Sequence, residues 1–186
     1  RRFAVADRQL RDSGVFYRVY EDPAGAVRPW PLSHVPLLIA PDEWQELKDG
    51  LIQRAGLLEA VLADIYGAAN LVRDGRLPAA VIAGNPEFLR PMVGVAPPSG
   101  AHLRFYGVDV GRSPDGRWWV LGDRTQAPSG AGFALENRLA LSRALPDIYR
   151  ALRVERVAPF FQAFQASLAA LNHRDDSPVC VLTPGP

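Results

Sequence analysis

The chain has 186 residues, 48% of them hydrophobic and 22% charged, which suits one domain, or one and part of a second, and excludes a disordered tail. Basic residues number 21 against 20 acidic, so an electrostatic footprint for nucleic acid or a membrane spread over the whole surface is not expected. Lys48 is the sole lysine; the remaining basic charge is arginine, which a GC-rich genome explains, although arginine forks also suit carboxylate and phosphate clamps.

The stretch up to about Pro41 is rich in turn residues. Tyr17-Arg18-Val19-Tyr20 alternates like a short strand, Asp22-Pro23-Ala24-Gly25 reads as a turn, and Pro29-Trp30-Pro31 begins an extended segment. From Asp42 to about Tyr66 the spacing of Trp44, Leu47, Leu51, Leu58, Leu62 and Ile65 predicts one long amphipathic helix that stops at Gly67. Short helical pieces are expected over 68–73 and 79–82, with breakers at Gly84-Asn85-Pro86 and Pro97-Pro98-Ser99-Gly100. His102 to Val110 and Trp118 to Leu121 alternate around Ser113-Pro114-Asp115-Gly116, a strong hairpin signal. A loop, Ala127 to Gly132, leads to a helix predicted from about Leu135 to Arg143, followed by one opened by Pro146 and one over Val157 to Leu171. Pro178 to Thr183 is a short apolar run that reads as a buried strand. Such a strand needs partners on both edges, so a further domain is expected to continue from it.

The lone cysteine, Cys180, lies in that run and reads as a buried strand position rather than a nucleophile. It excludes a disulfide framework and fits a reducing cytosol. No segment approaches the ~18 consecutive apolar residues of a membrane span, and Arg1 to Asp7 lacks the apolar core of a secretory signal. A cytoplasmic protein is the expectation. His34, His102 and His173 are far apart with no ligand spacing, so no zinc site is expected.

The residues able to carry chemistry concentrate between Asp109 and Arg138. Asp109 on the first hairpin strand and Asp123 at the end of the second are candidate ligands for a hard cation such as Mg2+. With Arg112 paired to Arg117, Gly107 would face Gly122, Asp109 would share the face of Gly122, and Asp123 would point away. One extra residue in the second strand would reverse this, and Gly122 would tolerate such a bulge. Ser129, Gly130 and Gly132 could let backbone N–H groups approach a phosphate at a helix start. Glu136, Asn137 and Arg138 add an acceptor, a mixed group and a cationic fork beside that loop. Arg124 is a second cationic clamp, so Arg124 and Arg138 are the candidate catalytic residues.

The block from Asp109 to Arg138, with Pro128-Ser129-Gly130 and Leu135-Glu136-Asn137-Arg138 as its most specific parts, resembles the circularly permuted ATP-grasp family, related to glutathionylspermidine synthases and more distantly to D-alanine–D-alanine ligases. The likeness extends through Arg8 to Val15, Arg28-Pro29-Trp30-Pro31, Phe88-Leu89-Arg90-Pro91 and Leu182 to Pro186. It implies an ATP- and Mg2+-dependent carboxylate–amine ligase that works through an acyl phosphate on a small peptide or amino-acid-like substrate. It also implies that most nucleotide-binding groups, lysines included, lie in a C-terminal remainder of the same protein, leaving this part inactive alone. The family's Glu-x-Asn at the end of the second strand is here Gly122-Asp123-Arg124. A non-catalytic nucleotide- or peptide-binding module with a degenerate metal site is the alternative, and a phosphotransferase a third reading.

The expected fold is α+β: a mainly helical region over 1–100, an antiparallel hairpin-centred sheet with its loop and helices over 101–174, and the first strand of an α/β domain over 175–186. No nucleic acid or membrane partner is expected, and a homo-oligomer is compatible with the sequence.

Overall fold

The computed structural model describes residues 2–18, 27–171 and 178–180. In chain order the elements are α1 (Arg2–Asp12), β1 (Phe16–Arg18), β2 (Val27–Pro29), α2 (Pro41–Ile65), α3 (Asn70–Arg73), α4 (Ala79–Ala83), a 3-10 turn (Arg90–Met92), β3 (Gly107–Arg112), β4 (Trp118–Arg124), α5 (Ala131–Ala144), α6 (Pro146–Ala151) and α7 (Ala158–Ala169). The mixture of helices with two small antiparallel sheets is α+β. By contact the chain divides into two compact units, one formed by Arg1–Leu38 with Ser129–Pro186 and the other by Ile39–Pro128.

The first unit is built on α1 against α5. Ala6 and Leu10 of α1 and Ala140, Leu141 and Ala144 of α5 are buried, with Leu145 beside them. Alanine at these contact points lets two helix backbones approach closely, so a small set of side chains closes the seam. Val15, Trp30, Leu32 and Tyr149 cover it. Trp30 lies stacked on Phe133 with ring centroids 4.0 Å apart, and its Nε1–H donates to Asn137 Oδ1 at 2.8 Å. β1 and β2 pair antiparallel with Phe16 opposite Pro29. The turn-rich reading of the first 41 residues overlooks α1, whose inward face is only Ala6 and Leu10 among arginines and aspartates.

In the second unit α2 runs 25 residues. Pro41 at its first position suits a turn that has no use for that N–H. Leu47, Leu51, Leu58, Leu62 and Ile65 are half-buried as their spacing predicts, while Trp44 is 40% exposed and Glu43 takes its place on the inward face. Asp64 then accepts from the backbone N–H groups of Asn70 and Leu71, at 2.9 Å each, and so sets the start of α3. The hairpin joins α2 through polar contacts described below.

Of the segment expected as a buried terminal strand, Pro178–Cys180 is exposed and irregular, and 181–183 lie outside the described residues, as do Val19, Tyr20, the expected turn at 22–25, and His173.

Candidate functional site

β3 and β4 are antiparallel, with Arg112 opposite Trp118, Gly111 opposite Trp119 and Val110 opposite Val120. The turn is thus one residue longer than the tight turn expected from the sequence. The register then slips between Asp109 and Val110, so that Asp109 faces Gly122, Val108 faces Asp123 and Gly107 faces Arg124. Leu121 is the extra residue of this bulge. The longer turn and the bulge each shift the pairing by one, and two shifts restore the original facing. Asp109 therefore shares a face with Gly122 and Arg124, and Asp123 lies on the other.

The two faces have different surroundings. On the open face, Trp119 is 58% and Leu121 72% exposed. A Cβ added to Gly122 would lie 3.9 Å from Asp109 Oδ2, and among the described residues beyond its chain neighbours nothing else comes within 4 Å. Asp109 Oδ2 accepts from Arg124 Nε at 3.0 Å and stands 2.7 Å from Arg124 Nη2. The opposite face looks onto α2. Asp123 there accepts from Arg54 through both oxygens, at 2.7 and 2.6 Å, and from the Tyr106 hydroxyl at 2.5 Å. The paired hydrogen bonds from Arg54, then the one from Tyr106, pull the Asp123 carboxyl from 3.8 down to about 2. Burial and the Asp123 carboxylate together keep the Tyr106 proton in place and raise its pKa.

The predicted metal pair is consequently not brought together. Asp109 and Asp123 point to opposite sides of one hairpin, and each carboxylate is already held by an arginine. Mg2+ needs several oxygens converging at ~2.1 Å. Among the described residues no group of three or more His, Cys, Asp and Glu side chains is placed to hold a metal ion. These residues do not fit a shared magnesium site.

The loop residues belong to the other unit. α5 begins at Ala131, not near Leu135, so Gly132 is already helical and Glu136, Asn137 and Arg138 lie in the second turn rather than the first. Gly130 enters the helix with φ 110°, a conformation glycine adopts without strain. Among the described residues no side chain caps the start, and no acid stands in the first turn, so the leading amides keep their capacity for an acceptor. Asn137 is engaged by Trp30 and supports the core. Glu136 and Arg138 are half-buried and form no ion pair among the described residues.

The sequence does not announce the side chains that tie α2 to the hairpin and to the segment leading into it. Glu43 Oε1 accepts from Trp118 Nε1 at 2.9 Å and stands 3.0 Å from Arg112 Nη2. Glu59 accepts from the backbone N–H of Leu103 at 2.6 Å and of His102 at 2.9 Å. Burial opposes the charged form of Glu59, but these hydrogen bonds prevail and its pKa is lowered. Their spacing on α2 marks Glu43 and Glu59 as inward-facing, which is the signal that could have found them. An open groove of about 1000 Å3 lies along the same helix, lined by Leu47, Leu51, Arg54, Trp118 and Val120, and holds none of the predicted site residues.

Comparison with known proteins agrees with the hairpin and loop signature. Residues 36–186 match the family described as circularly permuted ATP-grasp type 2. The chain is 37% identical over 178 residues to uncharacterized protein sll0335 of Synechocystis, covering 95% of this chain and 37% of that protein. It is 39% identical over 159 residues to Rv2567 of Mycobacterium tuberculosis, covering 84% of this chain and 18% of the relative. With Rv2411c of the same organism the identity is 34% over 180 residues, covering 96% and 32%. The chain thus spans well under half the length of these relatives. Among the described residues no helix is long and apolar enough to cross a membrane. Because the match covers most of the sequence, the chain belongs to the circularly permuted ATP-grasp type 2 family.

Proposed function

We propose that this chain is part of an ATP-dependent carboxylate–amine ligase. A substrate carboxylate oxygen would attack the γ-phosphorus of ATP, ADP would leave, and an acyl phosphate would form. An amine nitrogen would then attack the acyl carbon, losing a proton as inorganic phosphate departs and an amide bond remains. The family match over residues 36–186 carries this reading. The uncapped start of α5 supports it, because free amides and the positive end of a helix suit a phosphate group. Ser129, Gly130 and Gly132 take the nucleotide-contact role there. Arg138, half-buried without an ion pair among the described residues, is available to an anionic substrate or phosphoryl group, with Glu136 beside it. Arg124 is the cation on the open face of the hairpin, beside Asp109, and Asn137 holds the helix through Trp30 rather than touching the nucleotide. The remaining nucleotide contacts belong to the rest of the full-length protein, and the substrates are an amino-acid-like or small peptide acid and an amine, met in the cytoplasm.

One observation favours a second reading, a nucleotide- or peptide-binding module without turnover: Asp109 is engaged by Arg124, and the neighbouring position is Gly122 rather than an acid. A single assay on the full-length protein separates the two. ADP release that requires both an acid and an amine, with formation of an amide, is the ligase result. Nucleotide binding without ADP release in the presence of varied acids and amines would establish the binding module instead. A stable phosphorylated product formed without an amine would replace both with a phosphotransferase.

A further inference from the structure

We infer that the hairpin carries no divalent-cation site of its own, because the place of the cation beside Asp109 is taken by the guanidinium of Arg124. Asp109 Oδ2 receives two contacts from this one side chain, Nε at 3.0 Å and Nη2 at 2.7 Å. A guanidinium is planar, permanently charged and donates in the directions a carboxylate accepts, so it competes directly with a metal for the same lone pairs. The second acid that chelation would need is missing on this face. Gly122 stands opposite Asp109 with room for a side chain and has none. Asp123 cannot serve in its stead, since the register places it on the face toward α2. Both of its oxygens are bound there by Arg54, and Tyr106 adds a third donor. Turning Asp123 to the open face would break these hydrogen bonds and strand Arg54.

Asp109 is therefore a positioning residue, holding Arg124 on the open face of the sheet, where Nη1 makes no hydrogen bond among the described residues. Any magnesium that travels with a nucleotide would have to be held by groups outside this hairpin. This conclusion departs from the ATP- and Mg2+-dependent ligase implied by the resemblance only in the metal, and it does not depend on turnover.

Manganese binding to the protein, followed by the loss of the free-ion electron paramagnetic resonance signal, tests it without nucleotide or substrate. The expected result is that Asp109→Asn and Asp123→Asn leave the number of bound Mn2+ ions unchanged. Loss of one bound ion in either variant, with the circular dichroism spectrum intact, would overturn the inference. The converse variant pairs Gly122→Glu with Arg124→Ala, which restores a second carboxylate and removes the competing cation. It should bind one Mn2+ that the parent does not, and failure to gain it would refute the placement of position 122 beside Asp109. Absence of ATP-dependent ligation would sink the ligase reading and leave both manganese results standing.

Discussion

Replacing Asp123 with asparagine keeps the shape of the side chain and removes the charge that ties the hairpin to α2. The fall of its carboxyl from 3.8 to about 2 sets a ceiling of roughly 2.5 kcal/mol on the stability it contributes at neutral pH. Arg54 is 44% exposed, and solvent screening of such a pair brings the expectation to about 1 kcal/mol. The sign follows from the direction of the change. A carboxyl whose folded pKa is depressed stabilises the fold fully above its unfolded value, and that contribution disappears as the pH falls through about 2. Urea unfolding followed by tryptophan fluorescence, with Trp118 and Trp119 as reporters on the hairpin, should show Asp123→Asn less stable near neutrality. The gap should narrow between about pH 4 and pH 2. A gap that stays constant across that range would show that charge is not its origin. No gap near neutrality would refute the contribution altogether.

Glu59→Gln weakens acceptance from the His102 and Leu103 N–H groups and should lower the melting temperature, at a cost of about 1–2 kcal/mol. Since the Glu59 pKa is lowered in the fold, the difference should shrink in acid, and an equal loss at every pH would contradict the assignment. Gly107→Ala would place a Cβ 2.8 Å from Pro128 Cβ, where a rigid ring cannot yield; thermal unfolding should register a loss of about 1–3 kcal/mol. Gly132→Ala, with nothing within 4 Å of its added carbon, is the matched comparison, and equal destabilisation by both would rule out the clash.

The long helix is legible because its half-buried residues from Leu47 to Ile65 obey one period over about five turns, and Trp44 departs from it because its large apolar side chain does not turn inward. The sequence places the start of α5 four residues late: Gly130-Ala131-Gly132 looks like a loop, and glycine is a poor helix former whose place in a first turn is decided by the chain entering it. At the hairpin the sequence announces a turn between two strands but not its length. Two one-residue shifts, neither readable alone, left Asp109 and Asp123 on opposite faces. What sequence could not show at all was partnership at a distance. Arg54 and Asp123 are 69 positions apart, and Trp30 and Asn137 are 107 apart. Each pair reads as an ordinary surface residue until folding brings it together. Asn137 is the instructive case, since its polarity beside a glycine-rich loop suggested a ligand while its partner is an indole of the same core.

The pairing of charges along the hairpin also governs how it is approached from afar. Asp109 is neutralised by Arg124, Arg112 by Glu43, Asp115 by Arg117 and Asp123 by Arg54. Closed pairs of this kind leave dipoles rather than a net field, and dipole fields fade within a few ångströms, inside the ~8 Å screening length of physiological salt. A polyanion is thus neither drawn to the hairpin nor repelled by it at long range. Encounter with this surface is set by diffusion and shape, and its rate should change little with ionic strength, unlike capture by an open cationic cleft.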